Sequence, residues 1–405
     1  MTEPHIKETA ASLPDTIIEL YDDEQIYNVL AITELRPKRV IYLGPRRIKK
    51  RGIKNSIINS LRILGLDTQC FFYTADMMSL ESIKSKLDSL IDTFGECTID
   101  LTGGSEVALV AVGMLAASRK IPLMRYDRST CRYKDIYCCP VMEGRVSDPH
   151  LSVPSVLALA GGVMKEHGHL AIDGLTDESA ADILTVWGIF KRFHRTWHRA
   201  VSYLQQVNKQ FGGESLSVKA PSVIFSGERI VNCDSAIMNA LSEAGILENY
   251  ENDASGVRFS YKSALMRSCL LDTGICLELY VYATARQSGL YDDVQISVVV
   301  DWDGDLEARI NTLNEIDVML TRGMVPVFIS CKSGSPNVVA LNEIKTLAKQ
   351  FGGVYGRPVL VTMSDVRNRD AYLYQRASDM DVTIIDYTDL VNDRLSKRLA
   401  AVSKV

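Results

Sequence analysis

Between residues 15 and 145 the chain alternates short apolar runs with amphipathic ones, and that rhythm constrains its fold more than any other feature. Strands are expected at Thr16–Leu20, Arg39–Leu43, Thr68–Tyr73, Cys97–Leu101 and Ile121–Tyr126, with helical patterns near 26–36, 52–64, 79–93 and 105–118. A βαβα order of this kind predicts an open parallel sheet, a Rossmann-like domain. Ligands of such sheets sit at the carboxyl ends of the strands.

Polar residues and glycines collect at those ends. The first strand runs into Asp22 and Gln25, with Asn28 opening the next helix, and the second ends at Gly44-Pro45-Arg46. The fourth runs out through Asp100-Leu101-Thr102-Gly103-Gly104-Ser105-Glu106. Two glycines permit close backbone approach, and Ser105 is a natural N-cap for a helix whose free N–H groups face an incoming anion. The GxGxxG turn of a dinucleotide site is absent after the first strand, so Thr102 to Ser105 is the better ligand site.

This run is similar to the DxTGG[TS] signature of CARF domains, the CRISPR-associated Rossmann folds that sense cyclic oligoadenylates. The resemblance covers roughly residues 12 to 145. It implies a symmetric homodimer with the ring-shaped ligand on the two-fold axis. It also marks Asp22, Gln25, Asn28, Gly44, Pro45, Arg46, Thr102, Gly103, Gly104, Ser105 and Glu106 as ligand-binding. CARF domains often have Lys after the Thr/Ser; here Glu106 would accept hydrogen bonds from an adenine amino group or a ribose hydroxyl. The basic run Arg46, Arg47, Lys49, Lys50, Arg51 and Lys54 would supply the positive charge.

The middle of the chain reads as connectors. Residues 176 to 210 are expected to be helical, with Val186, Ile189, Phe190, Phe193, Trp197, Val201 and Leu204 forming an apolar stripe. Within it, Arg192-Phe193-His194-Arg195-Thr196-Trp197-His198-Arg199 resembles the Arg and His pairing of HEPN ribonucleases, although HEPN domains are longer helical units. Residues 234 to 262 suggest a winged-helix element: a helix at Ala236–Ala244, a strand from Gly245, hairpin-turn chemistry at Glu251–Gly256, and a strand at Val257–Tyr261.

From about Lys262 the expected order is helix, three strands, helix, strand. Leu265–Thr284 reads as one amphipathic helix bearing Glu278. Gln295–Asp301, Glu315–Leu320 and Val325–Cys331 read as strands, Asn337–Phe351 as a helix closed by Gly352-Gly353, and Pro358–Thr362 as a further strand. Further segments follow at Val382–Ile385 and Leu390–Val402. Asp317 stands in an otherwise apolar strand, and Lys332 ends the next strand of the same hairpin. A carboxylate able to hold Mg²⁺ beside an ammonium able to stabilise a phosphorane is the minimum equipment for metal-assisted phosphodiester hydrolysis.

Glu278, Asp317 and Lys332 together resemble the active site of PD-(D/E)xK nucleases. Glu315 lies on the strand face of Asp317. The family usually has an acid where Ser330 stands, which leaves the Ser330 hydroxyl and the Cys331 carbonyl as local oxygens, or Glu343 as a migrated acid. The expected catalytic residues are thus Glu278, Asp317, Lys332, Glu315 and Ser330, with Glu278, Asp317 and Cys331 as metal ligands for Mg²⁺ or Mn²⁺.

Both ends agree with the CARF-domain ancillary nucleases of type III CRISPR defence, a cyclic-oligoadenylate-activated DNase and nickase group. The fold class is α/β, with a sensor at 1–150, a helical and winged-helix connector at 151–262 and a nuclease domain at 263–405. The resemblance implies activation by cyclic tetra-adenylate and cleavage or nicking of DNA, with RNA a further target. The alternatives are a ligand-responsive transcription regulator with a degenerate nuclease fold, and a HEPN-like metal-independent RNase.

Composition narrows the classes further. A net charge of −5 excludes global attraction to nucleic acid, so any such contact is local. The 9 cysteines have no repeated spacing and no CxxC pair, which argues against a disulfide framework or a structural zinc. No apolar stretch reaches the ~20 residues of a membrane span and no signal peptide is evident, so a cytoplasmic protein is expected.

Overall fold

The computed structural model describes residues 13–146, 149–165, 175–213, 215–227, 229–302 and 313–404. In the first third, β1 (Thr16–Leu20), α1 (Leu30–Leu35), β2 (Arg39–Gly44), α2 (Arg51–Ile63), β3 (Gln69–Thr74), α3 (Leu80–Phe94), β4 (Thr98–Asp100), α4 (Glu106–Arg119) and β5 (Leu123–Asp127) follow the expected alternation. A sixth strand, β6 (Arg132–Tyr137), closes the edge against β5 in the antiparallel sense. The order is β3-β2-β1-β4-β5-β6, with the first five strands parallel. The winding direction reverses between β1 and β4, the switch point at which ligands of such sheets sit.

The connector begins with α5 (Val153–Leu159), which packs on α2, and β7 (Val163–Met164). Helices α6 (Asp177–Phe193) and α7 (Trp197–Val207) follow, broken at His194-Arg195-Thr196. Next come β8 (Ser217–Ala220), the hairpin β9 (Val223–Ser226) and β10 (Arg229–Asn232), α8 (Ser235–Glu243), β11 (Leu247–Asp253) and β12 (Gly256–Tyr261). Helix α8 and the three-stranded sheet β11-β12-β8 give the winged-helix arrangement.

The C-terminal third differs from expectation at its first helix. Asp272 divides it into α9 (Ala264–Leu271) and α10 (Thr273–Gln287), because its carboxylate accepts hydrogen bonds from the Gly274 and Ile275 amides and restarts the helix. Then follow β13 (Asp293–Asp301), β14 (Leu313–Arg322), β15 (Val325–Lys332), α11 (Val338–Gly352), β16 (Arg357–Thr362), α12 (Val366–Arg369), α13 (Ala371–Asp379), β17 (Thr383–Ile385), α14 (Tyr387–Val391) and α15 (Leu395–Val402). The sheet order is β17-β16-β15-β14-β13-β7, antiparallel from β7 to β15 and parallel from β15 to β17.

Strand β7 belongs by sequence to the connector, yet it pairs with β13 at Val163↔Asp301. One apolar core also runs from the α1 side of the sensor sheet, through Trp187 and Tyr280, to Phe328 and Leu399. The opposite face of that sheet has its own core, built on Ile18, Ile41, Ile99, Leu87 and Leu115.

Candidate active site and ligand-facing edge

Register places Asp317 beside the end of β15. Val318 opposes Ile329, so the following residues Ser330, Cys331 and Lys332 run past the Asp317 side chain. Its Oδ2 accepts the Cys331 amide at 2.6 Å and the Ser330 hydroxyl at 3.3 Å, and Lys332 Nζ stands 3.8 Å away. Burial raises the Asp317 carboxyl, and the Cys331 amide and Lys332 ammonium oppose that rise.

Glu278 enters from α10 on its buried face, with only 8% of its surface exposed. Burial first, then the charges of Asp317 and Glu315, push its carboxyl up to about 8, while Lys332 pulls it down. The structure therefore brings Glu278, Asp317, Ser330 and Lys332 into one electrostatic unit. Glu315 is exposed and bonded to the Ser297 hydroxyl at the rim of that unit. The Cys331 thiol is buried, and burial first, then the Asp317 and Glu278 charges, raise it well above its ordinary value, while its backbone amide donates to Asp317. Glu343 is exposed on α11 and is not among the charges acting on Glu278 or Asp317. Asp272, which sequence reading passed over, adds its charge to Glu278 while capping α10.

At the edge of the sensor sheet, the loops after β1 and β4 are clamped together. Asp22 Oδ2 accepts the Gly104 amide at 2.9 Å, and Asp22 Oδ1 accepts the Glu24 amide at 2.8 Å. Gly104 lies at φ +94° with its Cα pressed on Leu20, a position closed to any side chain. Gly103 packs on Asp22, and Gly44 on Tyr21.

Thr102 is tied to Asp100 Oδ1 through both its amide and hydroxyl, and its hydroxyl oxygen accepts the Tyr126 amide. Ser105 caps α4 by accepting the Ala108 amide, which leaves Glu106 exposed in the first turn. Asn28 is fully buried and bonds the Asp22 backbone twice, which holds the loop's shape. Gln25 donates to the Tyr21 hydroxyl. Pro45 leads into an exposed turn bearing Arg46 and Arg47, of which Arg47 pairs with Asp23 at 2.6 Å.

The same loop touches the C-terminal domain. Glu24 Oε2 accepts the Val354 amide at 3.1 Å, at the end of α11. Beside it the Tyr27 and Tyr355 hydroxyls meet at 3.2 Å, and Arg128 donates to both. The segment Arg192 to Arg199 spans the end of α6, the break at His194-Arg195-Thr196 and the start of α7, with His194 and His198 both exposed.

Residues 266–402 match the model of the Card1-like endonuclease domain. No curated protein matches the sequence. Among solved structures, protein VC1899 from Vibrio cholerae is similar over 96% of this chain and 99% of its own, with a TM-score of 0.72 at 16% identity. Can2 from Sulfobacillus thermosulfidooxidans, solved in complex with cyclic tetra-adenylate, is similar over 97% of this chain and 98% of its own, with a TM-score of 0.65 at 16% identity. The two structural likenesses establish the fold over nearly the whole length. The C-terminal third is thus similar to an endonuclease domain, and the whole chain shares its fold with the two solved structures.

Proposed function

We propose that this chain is a homodimeric endonuclease of type III CRISPR defence, switched on by a cyclic oligoadenylate and dependent on Mg²⁺ or Mn²⁺. Its substrate is DNA, nicked or cut, with RNA a further target. The observation that carries this reading is the meeting of Glu278, Asp317 and Lys332 inside a domain that matches an endonuclease model.

The donor set fits a hard dication. Two carboxylates whose ionisation is opposed by burial and by each other are stabilised by a positive ion between them. Among the described residues no group of three or more His, Cys, Asp or Glu gathers to hold an ion, so Ser330 or a backbone oxygen completes the set. Glu278 and Asp317 would hold the ion, which when bound polarises the phosphate and activates a water. Lys332, held at 3.8 Å from Asp317, stabilises the charge that builds on the phosphate oxygens. The Cys331 amide fixes the Asp317 carboxylate in one orientation before substrate arrives.

The switch point between β1 and β4 supports the sensor half, together with the likeness to a cyclic tetra-adenylate-bound fold. Cyclic tetra-adenylate is accordingly the activator of choice. The outer face of α4 leaves Val110 and Met114 each 54% exposed, an apolar stripe beside the Gly104 loop that a second copy would cover. Among the described residues no helix is long and apolar enough to cross a membrane.

The test is plasmid nicking by the purified protein with Mn²⁺, with and without cyclic tetra-adenylate. Nicking that requires the ligand, stops with chelator and is absent in Asp317→Ala is the expected result. Nicking retained in Asp317→Ala would refute the assigned site. Ligand binding with no cleavage of DNA or RNA would favour the transcription regulator.

A further inference from the structure

Beside Lys332 a cleft of about 630 Å³ opens at the carboxyl ends of β15, β16 and β17. It is lined by His194, Ser335, Ser364, Asp365, Leu373 and Tyr387. Its wall is continuous with the strand end that carries the lysine. The Met363 amide donates to the Lys332 carbonyl at 3.1 Å, and the Thr362 hydroxyl donates to the Gly334 carbonyl at 3.1 Å. The Ser364 and Ser335 hydroxyls bond at 3.3 Å across the gap. Ser335 is three peptide units past Lys332, about 10 Å of chain at most. A group seated here is a close neighbour of the phosphate that Lys332 contacts.

The lining selects a ring over a phosphate. Val366 and Leu373 are buried and make an apolar floor. The rings of His194 and Tyr387 stand 6.2 Å apart on one side, a surface on which a flat heterocycle packs. Among the described residues that line it, Asp365 and Asp370 stand against one guanidinium, Arg369, so a phosphate would meet two carboxylates. The carboxylates of Asp365 and Asp370 supply hydrogen-bond acceptors. The Lys191 carbonyl, 3.1 Å from His194 Nδ1, can only accept, so Nδ1 carries a proton and Nε2 is the nitrogen left for a ligand.

We infer that this cleft seats one nucleobase of the cleaved strand next to the scissile phosphate, and that it favours a base with an exocyclic amino group over thymine or uracil. Adenine, cytosine and guanine offer that donor to His194 and Asp365; thymine and uracil do not. The assignment rests on the nuclease reading of Asp317 and Lys332. It also gives the break between α6 and α7 a task, since the break is what brings the connector's His194 to the nuclease domain.

Cut positions are mapped on a defined DNA for the activated full-length protein, and for His194→Ala and Asp365→Asn. The wild type is expected to disfavour thymine at one fixed offset from the cut. Both variants should lose that bias and raise KM about tenfold while kcat holds, the scale of one lost base contact. No offset bias in the wild type, or bias retained in both variants, overturns the inference. A second arm needs no cleavage: fluorescence anisotropy in EDTA with oligodeoxynucleotides of A only, C only or T only. Tighter binding of A and C, lost in His194→Ala, upholds the cleft even if no cleavage is ever seen, in which case the nuclease reading fails alone. Cleavage without any discrimination overturns the cleft alone.

Discussion

Ser330 is the residue at which this chain departs from the nuclease family it resembles, and its surroundings say what the change costs. Its hydroxyl lies 3.3 Å from the Asp317 carboxylate, so an acid there would join Glu278 and Asp317 directly. Ser330→Asp is expected to tighten Mn²⁺ binding about tenfold, read as the metal concentration for half-maximal nicking. A second residue-scale expectation concerns Glu19 and Asp100, adjacent across β1 and β4 and fully buried. Burial raises both carboxyls above their ordinary 4.5 and 3.8, Asp100 to about 6. Below the unfolded values both states are protonated and nothing is lost. As pH climbs from about 4 through 6 and beyond, the unfolded chain releases protons that the folded chain retains, so stability falls. Glu19→Gln should flatten that decline and raise the melting midpoint at pH 7.5 more than at pH 5, measured by thermal melts. Asp317 and Lys332 were legible because charge inside or ending an apolar strand is unusual. Glu24 was not, since its partner Val354 is set by packing and not by neighbours in sequence.

At the scale of elements, the long strands and helices could be read from their periodicity, whereas β6, β7 and the β9–β10 hairpin escaped. A two-residue strand such as β7 has no period to read; it exists only because β13 offers an edge for it to pair with. The division of α9 from α10 was hidden for a related reason, because a capping aspartate inside an amphipathic pattern looks like one more polar position. Helix α4 carries the element-scale prediction. Its Val110 and Met114 project from a helix whose opposite face holds Val112 and Leu115 in the core. Met114→Lys should give monomers by sedimentation velocity and weaken cyclic tetra-adenylate binding, with the melting temperature of the monomer little changed. A Met114→Lys protein that stays dimeric would place the interface elsewhere.

Over the whole molecule, the loop after β1 and the end of the helix that follows Lys332 meet at Glu24. Asp22 holds Gly104 and Glu24 together, and Glu24 in turn holds the Val354 amide just past α11. Gly353 makes this possible. Its φ of +54° suits glycine, and a Cβ there would overlap the Glu24 carboxylate. Gly353→Ala is expected to cost about 1 kcal/mol of stability and to leave cyclic tetra-adenylate binding intact. It should reduce the ligand's stimulation of nicking about tenfold, the usual size of a coupling free energy. Equal stimulation in the variant would show that the signal travels by another route. In the proposed switch this contact would also limit which halves can be recombined. A hybrid joining the sensor of one relative to the nuclease of another would inherit two sound halves and a dead trigger, unless the acid and the glycine were exchanged together.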